Sequence, residues 1–521
     1  MWIIYRKAGR LQITAESTDS GNHRRLSETN NGAKGQMQIR DSFLYMLPLI
    51  FNNLIPFLTL PIFTRILTTQ DYGVLSLAQV YAVFVSGIAN LGMTISYERN
   101  YFQYQGNKRD SAALIFSSLA FVIINIFILG IFTYCFRQRL AGWIIGSPKW
   151  GGVLFWAFIN NCVMILVVFY QLSLRNAQKV FSYVGYTAAI SLLNVVFSLF
   201  LVAFLKIGVI GLVYAQLVAN LAVFIILTFS FISRLSLSFS WPIFLDSFKI
   251  SYPLTPRIFL GAVNQQFDKY MIGLMSTLGG VGIYRIGQQI ASLVFSYMTQ
   301  LEHVFTPQTY QKMFGGKDRV DEEIGRYLTP FLFASIVIAL IVCLFSEEII
   351  YVLTPPAFHD AIDIVTILSM FYGFLFFGKI TGIQLIYMKK TYITSLLSFS
   401  TLALNIIINI PFIMKWGAIG AAWGTMISGI ISCSISFNIA QRFYRIRWEY
   451  KKISSIFFIF FGSAIAMILL RYFDISYWVR LAIKLTSLAG YAYLGIKLNI
   501  LTRENYLLAK NIFSINRGGS Y

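Results

Sequence analysis

Residues 43–79 read FLYMLPLIFNNLIPFLTLPIFTRILTTQDYGVLSLAQ, and residues 248–289 read FKISYPLTPRIFLGAVNQQFDKYMIGLMSTLGGVGIYRIGQQ. Each stretch has a proline near its start, then a largely apolar run, a short polar turn and a glycine, Gly73 or Gly282, that opens the next run. A pattern that recurs far along the chain indicates an internal repeat. The two stretches therefore predict two lobes in which the chain follows the same course.

Apolar runs continue from residue 42 to residue 499, with only short polar segments between them. A helix needs about 20 residues to cross a bilayer, and on that measure the runs predict about fourteen transmembrane helices. The predicted fold class is all-α. It is a polytopic membrane protein with two pseudo-symmetric six-helix lobes around a central cavity, two C-terminal helices and both termini in the cytoplasm.

The chain divides into four predicted parts. Residues 1–40 form a disordered basic tail, for which Met37 is an alternative start, because this stretch is polar and has no apolar core. Residues 41–235 form the N-lobe with six helices, and residues 236–440 form the C-lobe with six more. Residues 441–521 hold the last two helices and a basic cytoplasmic tail.

The composition is apolar and strongly basic at once. Hydrophobic residues make up 57% and charged residues only 12%, while 42 Lys and Arg against 21 Asp and Glu give a net charge of +21. Most of these cations fall in the segments predicted to be cytoplasmic, as the positive-inside rule requires. The predicted outer loop 346–362 has Glu347, Glu348 and Asp360 but no cation. This distribution explains the charge without a nucleic-acid partner.

Sequence motifs for covalent chemistry are absent. The three His and four Cys show no metal-ligand spacing, and the chain has no nucleotide-binding glycine loop, no HExxH and no GxSxG. The loops are also too short to fold as a catalytic domain. We therefore expect no enzyme activity, no cofactor and no metal site, which argues against a membrane polysaccharide polymerase.

Several prolines lie inside the predicted spans, where each removes a backbone hydrogen bond. Freed carbonyl groups are tolerated in a membrane against protein or a water-filled cavity, so paired interruptions in two halves point to a substrate path. The alternative is that these prolines only shape helix packing. The predicted helix breaks are Pro48, Pro56, Pro61, Pro253 and Pro256.

Charged side chains inside the spans are the strongest functional signal. A charge at the bilayer centre costs at least about 2.5 kcal/mol, so such residues usually face a cavity. Arg257 and Lys379 lie deepest and are predicted as cavity cations. Lys484 lies near an outer helix end, where it can extend to the interface in a structural role.

Three further charges lie together near the outer ends of the seventh and eighth spans: Asp268, Lys269 and Arg285. Lys269 and Arg285 add to the predicted cavity cations, although a structural ion pair with Asp268 is the alternative. Asp268 and Glu302 are the acids available for ion coupling or ion pairing. A cavity with more cations than anions suits an anionic ligand such as a phosphate.

Five segments of the sequence resemble the polysaccharide-transport family of the multidrug/oligosaccharidyl-lipid/polysaccharide exporter superfamily, the O-antigen and capsule repeat-unit flippases. In the first lobe these are LPIFTRILTTQDYGVLSLAQ and GMTISYERNYF. In the second lobe they are YPLTPRIF, NQQFDKYMIG and VGIYRIGQQIA. Arg65 and Arg99 fall within the first pair. For each of them the alternatives are a contact with the substrate and an anchor at the membrane interface.

The resemblance implies a V-shaped pair of lobes in the bacterial inner membrane. Such a protein moves an undecaprenyl-pyrophosphate-linked oligosaccharide from the cytoplasmic to the periplasmic leaflet by alternating access, with H⁺ or Na⁺ as the coupling ion. Membrane lipid, a polysaccharide polymerase and a chain-length regulator are the further partners implied. A drug/cation antiporter of the same superfamily is the alternative, but the first six spans have no deep acidic residue for such a role.

Overall fold

The computed structural model of the protein consists of helices joined by short connections. It describes residues 47–104, 106–231, 239–315 and 320–500, with the backbone alone for residues 47–54, 254, 257, 258, 262, 320 and 391. The predicted N-terminal tail up to residue 46, the alternative start Met37 and the tail after residue 500 lie outside the described residues. Every regular element within the described ranges is helical.

The first half of the described chain contains helices of very different lengths. They are α1 (Leu47–Ile66), α2 (Thr69–Asn90), α3 (Met93–Tyr104), α4 (Lys108–Ile144), α5 (Gly151–Asn176), α6 (Val180–Ser198) and α7 (Val209–Phe231). A π-helical turn, Leu199–Phe204, extends α6, and a 3₁₀ turn, Pro148–Trp150, precedes α5. The short helix α3 was not predicted, since its polar sequence follows an apolar span directly.

The second half of the described chain also contains both long and short helices. They are α8 (Trp241–Met275), α9 (Leu278–Phe314), α10 (Val320–Leu344), α11 (Ser346–Leu353), α12 (Ala361–Tyr387), α13 (Thr391–Phe443), α14 (Tyr450–Tyr472) and α15 (Tyr477–Lys497). Nine helices of the described ranges are long and apolar enough to cross a membrane. Within the described ranges helices occupy the predicted spans, and the number fourteen stays a prediction.

Helix α13 covers two predicted spans because the chain reverses within it. Gly417 has φ 57° and ψ −129°, a backbone conformation that glycine adopts without steric cost. A Cβ on Gly420 would overlap the Phe412 carbonyl, and a Cβ on Gly424 would overlap the Asn409 amide. The two arms of α13 therefore run antiparallel in close contact and correspond to the predicted spans 392–414 and 417–439.

Helices pack against each other within each predicted lobe and also between the lobes, where α2 packs against α9. In the N-lobe α5 packs against α2, α4 and α7, and α6 packs against α1 and α7; in the C-lobe α12 packs against α9, α10 and α13. Helices α14 and α15 pack on each other and on α10. Helix α8 joins the lobes, because Phe244 lies in an N-lobe core and Ile272 lies in the larger core that includes the C-lobe.

The prolines do not end the helices that contain them. Helix α1 continues through Pro56 and Pro61, and α8 continues through Pro253 and Pro256, so the predicted breaks are corrected to helix-internal sites. Each proline lacks an N–H donor, and the hydrogen bonds of the neighbouring helical turns maintain the helix there. Pro48 lies one residue inside α1, and its side chain is outside the described residues.

Lys484 is buried rather than extended to the interface. Its exposed fraction is 1%, and Nζ donates to Glu347 at 3.1 Å and to Glu348 at 2.7 Å, while Arg480 pairs with Glu347 at 2.7 Å. Burial acts to raise the pKa of Glu347, but hydrogen bonds and positive charge from Lys484 and Arg480 outweigh it and hold that pKa below its usual value. These ion pairs join α15 to α11.

Candidate functional site

A polar cavity of about 400 Å³ lies between α2 of the N-lobe and α8, α9, α12 and α13 of the C-lobe. Six carboxamide side chains line it: Gln79, Asn264, Gln265, Gln266, Gln288 and Gln289. Phe295, Phe371 and Tyr372 add aromatic surface. Carboxamides donate and accept hydrogen bonds at once, and aromatic rings offer apolar faces, so this lining suits a ligand rich in hydroxyl groups.

Two cations of the cavity have neutral partners. Lys269 Nζ donates to Gln266 Oε1 at 3.0 Å, and Arg285 Nη1 donates to Ser76 Oγ at 3.3 Å. Among the described residues, neither cation has a carboxylate within ion-pair distance, so the alternative of a structural ion pair with Asp268 is not observed. Neither positive charge is therefore neutralised by a neighbouring carboxylate of the described residues, and an anionic ligand can take that place.

Asp268 lies at the wall of the same cavity and is 5% exposed. Its carboxylate accepts hydrogen bonds from Tyr284 at 2.9 Å, Asn409 Nδ2 at 2.9 Å and Thr425 at 3.0 Å. Three neutral donors from α9 and both arms of α13 thus hold a buried carboxylate that has no ion-pair partner among the side chains that the structure describes. The Oδ1 atom of Asn409, which is itself fully buried, has no hydrogen-bond partner among the described residues.

A second cavity of about 330 Å³ lies on the N-lobe side, between α1, α2, α6, α7 and α9. Pro56 and its neighbours on α1 line it with Asn194, Gln216 and other residues, many of them apolar. Arg285 and Gln289 line both cavities, so the guanidinium lies where the two spaces meet. The space between the lobes thus consists of two compartments, one polar and one more apolar, with a cation between them.

The other predicted site residues lie away from these compartments. Lys379 forms an ion pair with Glu302 at 2.7 Å and lies 5.2 Å from the ring centre of Phe295, which does line the polar cavity. Its charge is therefore balanced locally. Arg65 and Arg99 are exposed, and neither lines either compartment.

Arg257, one of the two deepest predicted cations, lies on α8 with its side chain outside the described residues. Its place on the helix that carries Asp268 and Lys269 is consistent with the predicted role. That role stays a prediction.

The sequence did not single out Ser76, Tyr284, Tyr372, Asn409 or Thr425. Each is an ordinary polar residue within an apolar helix, and Asn409 and Thr425 reach Asp268 only because α13 folds back on itself. One signal was present in the sequence, since Asn405 and Asn409 lie one turn apart on the same face of a span. Polar pairs of this kind in a membrane helix usually face protein or a cavity.

Residues 39–307 match a family model described as polysaccharide biosynthesis protein. A curated relative is the probable low-salt glycan biosynthesis flippase Agl15 of Haloferax volcanii, 24% identical over 422 residues, which cover 80% of this chain and 86% of the relative.

Two solved structures share the fold. The lipid II flippase MurJ in an inward closed conformation aligns with a TM-score of 0.67 at 15% identity, over 89% of this chain and 100% of that one. An inward-facing multidrug resistance MATE transporter aligns with a TM-score of 0.60 at 15% identity, over 78% and 97%. At these identities the likeness concerns the fold alone.

Proposed function

The chain belongs to the polysaccharide biosynthesis protein family, and we propose that it is a flippase that moves a lipid-linked oligosaccharide across a membrane for polysaccharide assembly. The observation that carries the proposal is the polar compartment, in which six carboxamides and three aromatic rings surround two cations that have no carboxylate partner within the described part of the chain. The curated relative Agl15 is itself named a glycan biosynthesis flippase. The compartment supports a polar, anionic substrate, and the name of the relative supports a glycan as the group that is moved.

The proposed substrate is an oligosaccharide on undecaprenyl pyrophosphate, for O-antigen, capsule or another surface polymer. In this assignment Arg285 and Lys269 bind the pyrophosphate, because a guanidinium matches phosphate oxygens in pairs and an ammonium adds a point charge. The carboxamides bind sugar hydroxyl groups. We place the protein in the bacterial inner membrane, with transport from the cytoplasmic to the periplasmic leaflet.

Ion coupling is proposed at Asp268. The Asp268 carboxylate is a buried acid held by neutral hydrogen-bond donors, and one small cation, either H⁺ or Na⁺, would neutralise it. In the N-lobe the buried polar group that includes Gln216 has only neutral amides, from Asn160 and Asn220. A cation site is therefore proposed in the C-lobe alone.

A drug/cation antiporter fits the compartment less well. Its substrates carry positive charge, whereas the two uncompensated side chains in the cavity, Lys269 and Arg285, are themselves cations. Opposite charge would be required where the substrate binds. Polymerase and chain-length regulator remain proposed partners, since a flipped unit must be consumed on the far side.

Disruption of the gene in its own cell tests this function. We expect the surface polysaccharide to be lost and the lipid-linked oligosaccharide to accumulate in spheroplasts, where a lectin added outside cannot reach it. A defect in polymerisation would instead leave the lipid-linked unit accessible to the lectin. Normal polysaccharide, or an accessible unit, would contradict the proposed function, and restoration by the cloned gene is the control.

A further inference from the structure

Helices α2 and α9 meet through two glycines in direct backbone contact. A Cβ on Gly73 would overlap the Leu278 carbonyl oxygen, and a Cβ on Gly282 would overlap the Thr69 carbonyl oxygen. The same Cβ on Gly282 would lie 3.1 Å from the Gly73 backbone nitrogen. No side chain larger than hydrogen fits at either position, so the contact requires both glycines.

The contact is reciprocal and follows the internal repeat. The same number of residues separates Gly73 from Gly282 and Thr69 from Leu278, and in each half the glycine touches the first residue of the other helix. The two glycines therefore lie at the pseudo-two-fold axis that relates the lobes. An axis between two moving lobes is the natural place for a contact that forms and breaks once in each cycle.

Two other contacts between the lobes lie at the same end of the molecule, whereas the first part of α8 packs against the N-lobe at the opposite end. Thr64 on α1 donates to the Leu353 carbonyl of α11 at 3.0 Å. The rings of Tyr72 and Phe358 meet edge to face at 5.6 Å. In the predicted topology this end faces outside, because α2 and α9 both begin there. The inter-lobe space is thus closed on its predicted outer face.

One turn further along α2 and α9, a cavity cation joins the two lobes. Arg285 Nη1 donates to Ser76 Oγ at 3.3 Å, and these residues have the same separation in the chain as the two glycines. A hydrogen bond of this length to a neutral hydroxyl is weak beside a bidentate bond from a guanidinium to phosphate. An anion in the cavity would therefore displace Ser76 as the hydrogen-bond partner of Arg285.

We propose that the Gly73–Gly282 contact is the outer gate of the protein and that an anion bound by Arg285 loosens this gate by displacing Ser76. Backbone contacts without side-chain ion pairs can separate at low cost, while Arg285 gives the ligand a different affinity for the closed and open states. Such a difference is what allows a ligand to shift a conformational equilibrium. The role of the anion rests on the proposed function, whereas the gate itself does not.

Accessibility of a cavity cysteine from outside tests the gate without any substrate. Ser292 lines both compartments and is replaced by Cys, in a background where Cys135, the exposed native cysteine, is Ser. We expect a membrane-impermeant maleimide added outside to label this cysteine at least tenfold faster when Gly73→Ala or Gly282→Ala is also present. Gly87→Ala on α2 is the matched control, since a Cβ there meets nothing within 4 Å.

A disulfide provides a second variant if the alanine substitutions prevent folding. A Cβ on Gly279 would lie 3.8 Å from the Thr69 Cβ, within the range of a disulfide. Oxidation of Thr69→Cys with Gly279→Cys should abolish outside labelling, and reduction should restore the original rate. Unchanged labelling in both the alanine variants and the oxidised pair would overturn the gate.

Inorganic pyrophosphate tests the role of the anion. We expect pyrophosphate to raise outside labelling of the Ser292→Cys protein severalfold, whereas Ser76→Ala should label faster at the start and respond little to pyrophosphate. If pyrophosphate binds, as shown by a thermal shift, and labelling does not change, the displacement of Ser76 is wrong. If pyrophosphate does not bind, the proposed substrate site is wrong. The glycine variants still test whether the Gly73–Gly282 contact is the outer gate.

Discussion

Replacing Arg285 with Gln should weaken the binding of inorganic pyrophosphate by about 10- to 100-fold and remove most transport. The guanidinium lies where the two compartments meet, and it has only Ser76 as a hydrogen-bond partner among the described residues. Loss of charge-assisted hydrogen bonds costs about 1.5 to 3 kcal/mol, and each 1.4 kcal/mol is tenfold in affinity. Calorimetric titration of the purified protein with pyrophosphate measures the effect.

Two further variants make the Arg285 result specific. Arg109→Gln removes an exposed arginine at the start of α4, outside both compartments, and should bind pyrophosphate as the unmodified protein does. Lys269→Gln should weaken binding less than Arg285→Gln, because an ammonium offers no bidentate geometry. Equal affinity for Arg285→Gln and Arg109→Gln would remove Arg285 from the substrate site.

Replacing Asp268 with Asn should uncouple transport from the ion gradient and lower gradient-driven transport by about 100-fold or more, because an intramembrane acid of this kind usually carries the coupling ion. The amide keeps the shape of the side chain and can still bond to Asn409 and Thr425, but it cannot bind H⁺ or Na⁺ as a carboxylate does. Pyrophosphate binding should remain. Transport driven by a pH gradient or by a Na⁺ gradient, each imposed alone, measures the effect and identifies the ion.

The matched control is Asp474→Asn. Asp474 is exposed in a turn with φ 51°, where Asn is well tolerated, and it lies far along the chain from the cavity helices. Gradient-driven transport by the Asp474→Asn protein should equal that of the unmodified protein. Asp268→Asn transport that still responds in full to either gradient would show that the coupling ion binds elsewhere.

The architecture could be predicted from the sequence because apolar runs and an internal repeat are local patterns. Their lengths predict membrane helices, which the structure contains, and the matching stretches around Gly73 and Gly282 predict two equivalent lobes. Lys269 and Arg285 could be selected as candidate site residues for a similar reason. Charges inside apolar spans are rare, and each requires a cavity or a partner.

The partners of those charges could not be predicted, because they come from distant parts of the chain. Glu302 neutralises Lys379 from another helix, and Glu347 pairs with Lys484 across the gap between α11 and α15. From the sequence alone, none of these charges can be assigned a partner. Only the fold distinguishes the pair of Lys379 with Glu302 from Arg285, which has no carboxylate partner among the described residues. For this reason we propose Arg285 rather than Lys379 as the main binding cation, while Arg257 stays a prediction.

The central claim is that this protein carries a lipid-linked oligosaccharide across a bilayer, and the most direct measurement is transport in reconstituted vesicles. Undecaprenyl-pyrophosphate-linked oligosaccharide is placed in both leaflets, an ion gradient is imposed, and a glycosidase added outside digests the glycan that it can reach. With the protein present, digestion should proceed beyond the outer-leaflet share to nearly all of the glycan. Digestion that stops at the level of protein-free vesicles, under both H⁺ and Na⁺ gradients, would contradict the account.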